Sequence, residues 1–313
     1  MPPSRPLATT PLAGLPTAPD GLTATVPRQL VHRASVAETF LTGAAGTGTD
    51  SFDVFAEWPR THQLLVTPDR SAYQPLLVAE TVRQAGTLLA HTAYDVPLGH
   101  HFVLRELAIT TRPEHLAVGP SPAEPLLRIT VTDVTRRGGR PAGFRYEADV
   151  LLGSTSVATA RVAATWTSEA VYRRLRGGRS ASTVPVLPLP PGLPPAAVGR
   201  ASAADVVLAP ATAPGRRQLR VDTGHAVFFD HPLDHIPGML LLEAACQTLA
   251  ADPANQGRTP VSYSCVFHRY AELDLPTWIE RTEATVAGRE GVRVTARQKD
   301  GAVFECGVGT EER

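Results

Sequence analysis

Two glutamates stand where a carboxylate is expensive. Glu243 lies inside GMLLLEAACQTLA and Glu80 inside PLLVAETVRQAG, each among Leu, Val and Ala. A carboxylate on such a face needs hydrogen-bond partners or a raised pKa. Two histidines, His231 and His235, lie just upstream of Glu243 in FDHPLDHIPG. A buried Glu beside a His is a candidate general acid and base pair. Gly238 opens the second apolar helix, whose first free N–H groups could hold a carbonyl oxygen as charge develops on it. Glu243 could also be a structural acceptor for backbone N–H groups, and His235 a satisfied turn residue.

Around Glu80 the parallel candidates are His62, Arg83 and Gln84. Glu80 and Gln84 fall one helical turn apart on one face, as do Glu243 and Gln247. Arg83 is placed to ion-pair with Glu80, and Arg105 to hold an anion at the start of the next strand. His32, His91, His100 and His101 are further possibilities. The spacing of His231 and His235 resembles that of some metal pairs, but a proline lies between them and no third ligand is evident, so no metal is expected. Phosphate loops, dinucleotide fingerprints and a nucleophile elbow are absent, and no cofactor is expected.

These residues need elements to position them, and the elements come twice. Glu80 and Gln84 repeat as Glu243 and Gln247, with the same 163-residue spacing. Upstream, VFAEWPRTH at 54–62 echoes VFFDHPLDH at 227–235. That alignment pairs His62 with His235, sets Trp58 against His231, and gives the first half about ten extra residues between its His and its Glu. The patterns predict helices over 76–93 and from Pro237 to Ala251. Strands are predicted over 101–109, 126–134, 143–152 and 155–166, then 261–268, 277–287, 291–299 and 302–309. Alternation such as GVRVTARQ favours antiparallel hairpins. One long buried helix wrapped by an antiparallel sheet is the hotdog arrangement. The expected fold is therefore α+β, a tandem (double) hotdog whose halves form a pseudo-dimer.

The chain has 313 residues, with Lys plus Arg balancing Asp plus Glu at 30 each, so charge does not point to nucleic acid. Residues 1–27 read as a flexible arm, 28–176 as the first hotdog domain, 177–200 as a Pro-rich linker and 201–313 as the second domain. Three cysteines without close spacing suit a reducing compartment. No apolar stretch suggests a leader or a membrane span, so a cytoplasmic location is expected.

The chain resembles the A-factor biosynthesis proteins, actinobacterial gamma-butyrolactone synthases with two tandem hotdog repeats. The resemblance is carried by LVHRASVAETFLTG at 30–43, FAEWPRTHQ at 55–63, YQPLLVAETVRQAGTLLAHTAYDVPLGHHFVLREL at 73–107 and HAVFFDHPLDHIPGMLLLEAACQ at 225–247. It implies an acyltransferase that moves a β-ketoacyl group from an acyl-carrier-protein thioester to the hydroxyl of dihydroxyacetone phosphate, in making a gamma-butyrolactone signal. The second half also resembles the β-hydroxyacyl-carrier-protein dehydratases, whose catalytic Glu falls on Glu243 and whose His falls on His231, with His235 as the other choice. A dehydratase, a thioesterase or a non-catalytic ligand-binding hotdog are the alternatives. The working pocket is expected around Glu243, with the first half as its opposing wall. The pseudo-dimer could act as a monomer or associate weakly as a homodimer.

Overall fold

The computed structural model describes residues 10–11, 24–255, 257–299 and 301–312. Most of the expected arm, 1–9 and 12–23, lies outside the described residues. In chain order the elements are β1 (Thr10–Pro11), β2 (Leu41–Gly48), β3 (Ser51–Ala56), α1 (Pro75–Thr92), β4 (His101–Thr111), β5 (Leu126–Arg137), β6 (Arg140–Leu152), β7 (Thr155–Thr167) and α2 (Glu169–Leu175). Then follow β8 (Leu208–Ala213), β9 (Arg216–Leu219), β10 (His235–Ile236), α3 (Gly238–Ala250), β11 (Arg258–Phe267), β12 (Ala271–Glu272), β13 (Trp278–Val286), β14 (Arg289–Gln298) and β15 (Gly301–Glu312).

Each half builds an antiparallel sheet from hairpins. Gly138 and Gly139, both at positive φ, make the tight turn between β5 and β6. Ala287 and Gly288 do the same between β13 and β14. Strands such as β3 and the first half of β5 alternate buried and more exposed residues, so one face of the sheet is apolar. Central strands β4 and β11 pair antiparallel, with Ser264 opposite Ala108, and fuse the two sheets. Among the described residues the result is one 13-stranded sheet in the order β1-β2-β3-β5-β6-β7-β4-β11-β15-β14-β13-β9-β8.

Helices α1 and α3 cover the apolar face and touch each other. Pro75 begins α1, where its missing N–H costs nothing. Most residues of both helices are buried, Glu80, Gln84, Glu243 and Gln247 included. This is the tandem hotdog the periodicity predicted. The segment 177–194 holds neither strand nor α-helix, but Val184 is buried beneath it. Among the described residues no helix is long and apolar enough to cross a membrane.

Candidate active site between the two halves

The two glutamates are held in nearly identical cages. Glu243 is fully buried and takes two parallel hydrogen bonds from Arg200, Nε to Oε1 at 2.7 Å and Nη2 to Oε2 at 2.6 Å. Gln247 donates a third to Oε1 at 2.5 Å. Glu80 receives Arg33 Nε at 3.0 Å, Arg83 Nε at 2.8 Å and Gln84 Nε2 at 2.7 Å. Burial pushes the Glu80 carboxyl up, but the charges of Arg33 and Arg83 outweigh it and leave the pKa at about 2. The Glu80 carboxylate is therefore a locked anion, and Glu243 is held in the same way by Arg200 and Gln247. Neither lines the cavity between the halves, so neither is placed to take a proton from a substrate bound there. That corrects the expectation of Glu243 and Glu80 as catalytic groups.

Gln84 and Gln247 are clamps rather than ligand contacts. Gln84 donates to the Glu38 carbonyl at 2.7 Å and accepts from Phe40 N–H at 3.0 Å. Gln247 makes the same pair with Asp205 and Val207, at 2.6 and 2.9 Å. These clamps expose a repeat that the sequence reading missed. HRASVAETF at 32–40 and GRASAADVV at 199–207 form the same turn. Ser35 and Ser202 each cap it, accepting from the N–H two residues on, and Arg33 and Arg200 each reach a glutamate. The shared Arg-Ala-Ser was the available signal, hidden because Arg200 sat at the edge of the Pro-rich stretch.

The repeat register also differs from the expected one. His62 Nδ1 accepts from Leu64 and Leu65 N–H, and its Nε2 meets Glu38 at 3.3 Å. His225 repeats every contact, accepting from Val227 and Phe228 N–H and meeting Asp205 at 3.2 Å. The twin of His62 is thus His225, not His235, and the 163-residue spacing runs unbroken from these histidines to the glutamates. The first half has no extra residues there, and Trp58 does not replace His231. Trp58 is a buried core residue, bonded through Nε1 to Thr81 at 2.8 Å. His62 braces a loop and does not line the cavity, which corrects its expected substrate role.

A cavity of about 210 Å³ lies where the halves meet. One wall is α1 and its neighbours: His32, Arg33, Arg83, Gly86, Thr87 and Tyr146. The other is the second half's loop and helix start: Leu233, His235, Pro237, Gly238 and Met239. Phe102, Leu104, Phe144, Val162, Leu241 and Phe267 add apolar lining, and Arg269 and Tyr270 line it as well. Of the expected residues, Arg83, His235 and Gly238 line it. Arg105 is exposed and donates to Thr165 Oγ1 at 3.2 Å outside the lining. His231 is half-exposed on Asp230 and also outside it, which corrects the preference for His231.

His235 is oriented by an acidic partner. Its Nδ1–H donates to Asp234 Oδ1 at 2.6 Å, which leaves Nε2 as a bare acceptor. Asp234 also accepts from Tyr172 OH at 2.5 Å and Arg176 Nε at 2.9 Å, both from the segment joining the halves. Burial works against the Asp234 anion, but the bonds from His235, Tyr172 and Arg176 hold its pKa well below the ordinary range. Arg176 is in turn clamped by Glu272 at 2.7 and 2.8 Å and stacks on Tyr270. Three residues past His235, α3 begins at Gly238, and Pro237 before it supplies no side-chain cap. Leu240 and Leu241 N–H both turn to the Pro237 carbonyl, and among the described residues no partner is found for the Gly238 and Met239 N–H groups. An imidazole acceptor and a pair of free N–H donors thus stand at one end of the cavity.

Comparison with known proteins identifies the family. The family model described as the A-factor biosynthesis hotdog domain matches residues 16–168 and 181–306. A 2-oxo-3-(phosphooxy)propyl 3-oxoalkanoate synthase of Streptomyces virginiae is 47% identical over 92% of this chain and 98% of its own. Proteins of the same description from Streptomyces griseus and Streptomyces coelicolor are 40% and 37% identical over 88% and 89% of this chain, and 92% and 89% of theirs. Among solved structures, one described as an oleoyl thioesterase from Lactobacillus plantarum shares the fold, with a TM-score of 0.50 at 11% identity, covering 84% of this chain and 96% of its own.

Proposed function

The chain belongs to the A-factor biosynthesis hotdog family, and from that premise we propose how its cavity joins the two substrates. It is an acyltransferase of the gamma-butyrolactone synthase type, transferring a β-ketoacyl group onto an acceptor derived from dihydroxyacetone phosphate. The relatives' name describes the product, an ester between a 3-oxo acid and the hydroxyl of a phosphorylated dihydroxyacetone. The donor in this reading is an acyl-carrier-protein thioester.

His235 Nε2 takes the proton from the acceptor hydroxyl as its oxygen attacks the thioester carbonyl. The carbonyl oxygen becomes an oxyanion held by the Gly238 and Met239 N–H groups, reinforced by the N-terminal dipole of α3. Collapse expels the thiolate, which recovers the proton from His235, and the ester leaves. No covalent enzyme intermediate is required. The acyl chain lies along Phe102, Leu104, Phe144, Val162 and Leu241. Asp234 keeps the His235 tautomer fixed and stabilises the imidazolium.

The observation that carries this reading is the Asp234–His235 pair beside the uncapped start of α3, within one cavity. The caging of Glu80 speaks against a dehydratase. A hotdog dehydratase sets a free carboxyl opposite its His, whereas here Glu80 is sequestered behind two guanidinium groups. The test is incubation with a β-ketoacyl thioester, with and without dihydroxyacetone phosphate. The reading expects thiol release that depends on the acceptor, with ester formed in equal amount. Thiol release without acceptor marks a thioesterase, and turnover of neither kind marks a binding protein.

A further inference from the structure

We propose that His32 and Arg83 form the subsite for the acceptor's phosphate monoester, a site built only into the first half. The proposal rests on the acyltransferase reading above and names the part of that cavity which recognises the phosphate.

The internal repeat supplies a control within the molecule. The turn before each clamping arginine ends in a left-handed residue. In the second half it is Gly199, at φ 67°, and in the first it is His32, at φ 54°. A residue with a Cβ carries strain there that glycine escapes. His32 is thus tolerated where its twin shows that a glycine suffices, and it lines the cavity. The same comparison holds along the helices. Arg83 and Gly86 of α1 face the cavity. At the same spacing α3 has Cys246 and Leu249, and neither lines it. Gly86 also leaves room for Tyr146, whose hydroxyl would lie 2.5 Å from an added Cβ. At these positions the second half places no polar group in this cavity.

The free atoms of His32 and Arg83 are defined by what holds the rest. His91 Nδ1–H donates to the Val96 carbonyl at 2.6 Å, so its Nε2 can only accept. It accepts from His32 Nε2–H at 2.9 Å, and His32 Nδ1 is left as a lone pair. Phe102 supports the His32 ring edge-on at 4.8 Å. Arg83 commits Nε and Nη2 to Glu80 and the Val31 carbonyl, and among the described residues Nη1 has no partner. Apart from Arg33, Arg269 and His235, which also line the cavity, Arg83 Nη1 offers a cationic donor and His32 Nδ1 a neutral acceptor. A phosphate monoester carrying one proton matches both: an oxygen accepts from Arg83 Nη1, and the P–OH donates to His32 Nδ1. Burial, His91 and Arg83 keep the free imidazole neutral, with its pKa lowered to about 3, and His231 and His101 add to that. Binding of the dianion consequently takes up one proton, shared between phosphate and imidazole.

The decisive variant is His32→Gly, which gives the first half the residue of the second. Its melting temperature should equal or exceed that of the parent, because the left-handed strain is relieved. Its KM for dihydroxyacetone phosphate should rise roughly tenfold or more, as expected for loss of a charge-assisted bond. The KM for the acyl thioester, and that for unphosphorylated dihydroxyacetone, should not move. His32→Asn, which also accepts a left-handed backbone, should show the same split. Calorimetric titration of the unaltered protein with dihydroxyacetone phosphate, in buffers of different ionisation enthalpy, should show proton uptake that His32→Gly abolishes. Equal KM increases for the phosphorylated and unphosphorylated acceptors, or unchanged phosphate binding by His32→Gly, would overturn the proposal. Failure of the unaltered protein to bind dihydroxyacetone phosphate at all would instead overturn the acyltransferase reading.

Discussion

Glu80 and Glu243 act on stability before they act on chemistry. Removing the charge from either leaves guanidinium groups buried without their carboxylate, a loss on the order of 3–5 kcal/mol in other proteins. Glu80→Gln and Glu243→Gln should both unfold at clearly lower denaturant concentration, and any activity lost should follow the folded fraction. The pH dependence follows from the Glu80 pKa of about 2, below the ordinary carboxylate value of 4.5. Because the folded pKa is depressed, its stabilising contribution is complete above the ordinary value. It is lost as pH falls through the folded value. Chemical denaturation should therefore show stability falling between about pH 5 and pH 2 in the parent. The fall should be shallower in Glu80→Gln. The Glu-to-Gln spacing was legible in the sequence because both residues sit on one helix face. Their arginines were not, since Arg33 and Arg200 approach from 47 and 43 residues away. Only the fold brings such partners together.

Helix starts, turns and strands decide which face each residue presents. The long helices and the eight principal strands were legible because their periodicity is strong, and the structure places each of their ends within about three residues of the reading. Short pieces were not. Strand β9 has four residues and α2 has seven, too few for a pattern, yet α2 delivers Tyr172 and leads to Arg176 beside Asp234. The register of the repeat was misread for a related reason. The resemblance of VFAEWPRTH to VFFDHPLDH is real as a string, but hydrogen bonding pairs His62 with His225. The helix start offers its own test. A Cβ on Gly238 would sit 2.9 Å from the Phe267 ring, so Gly238→Ala must displace the first turn of α3 or the ring. Activity should fall about 10–100-fold as the two N–H donors move, against a stability loss of roughly 1–3 kcal/mol. Steady-state kinetics beside a melting curve would separate the two effects.

At the scale of the whole chain, the duplicated halves meet around the cavity. Contacts that cross between the halves are numerous: Arg33 Nη1 to the Val227 carbonyl at 3.0 Å, Asp230 to Ala34 N–H at 2.8 Å and Gln63 to Asp205 at 2.9 Å. With β4 and β11 paired as well, a chain cut within 181–190 should stay assembled and active, and size-exclusion chromatography would show the two fragments co-eluting. We place the start of the second unit at the turn before Arg200 rather than after it, since that arginine cages Glu243. The central claim is that chemistry happens in the cavity between the halves, with His235 as the base. It is tested most directly by single-turnover ester formation from a β-ketoacyl thioester and dihydroxyacetone phosphate. The comparison is between the parent and His235→Asn, matched for melting temperature. Loss of the base predicts a rate lower by roughly 10²–10⁴-fold with acceptor binding retained. An unchanged rate in the folded variant would contradict the account.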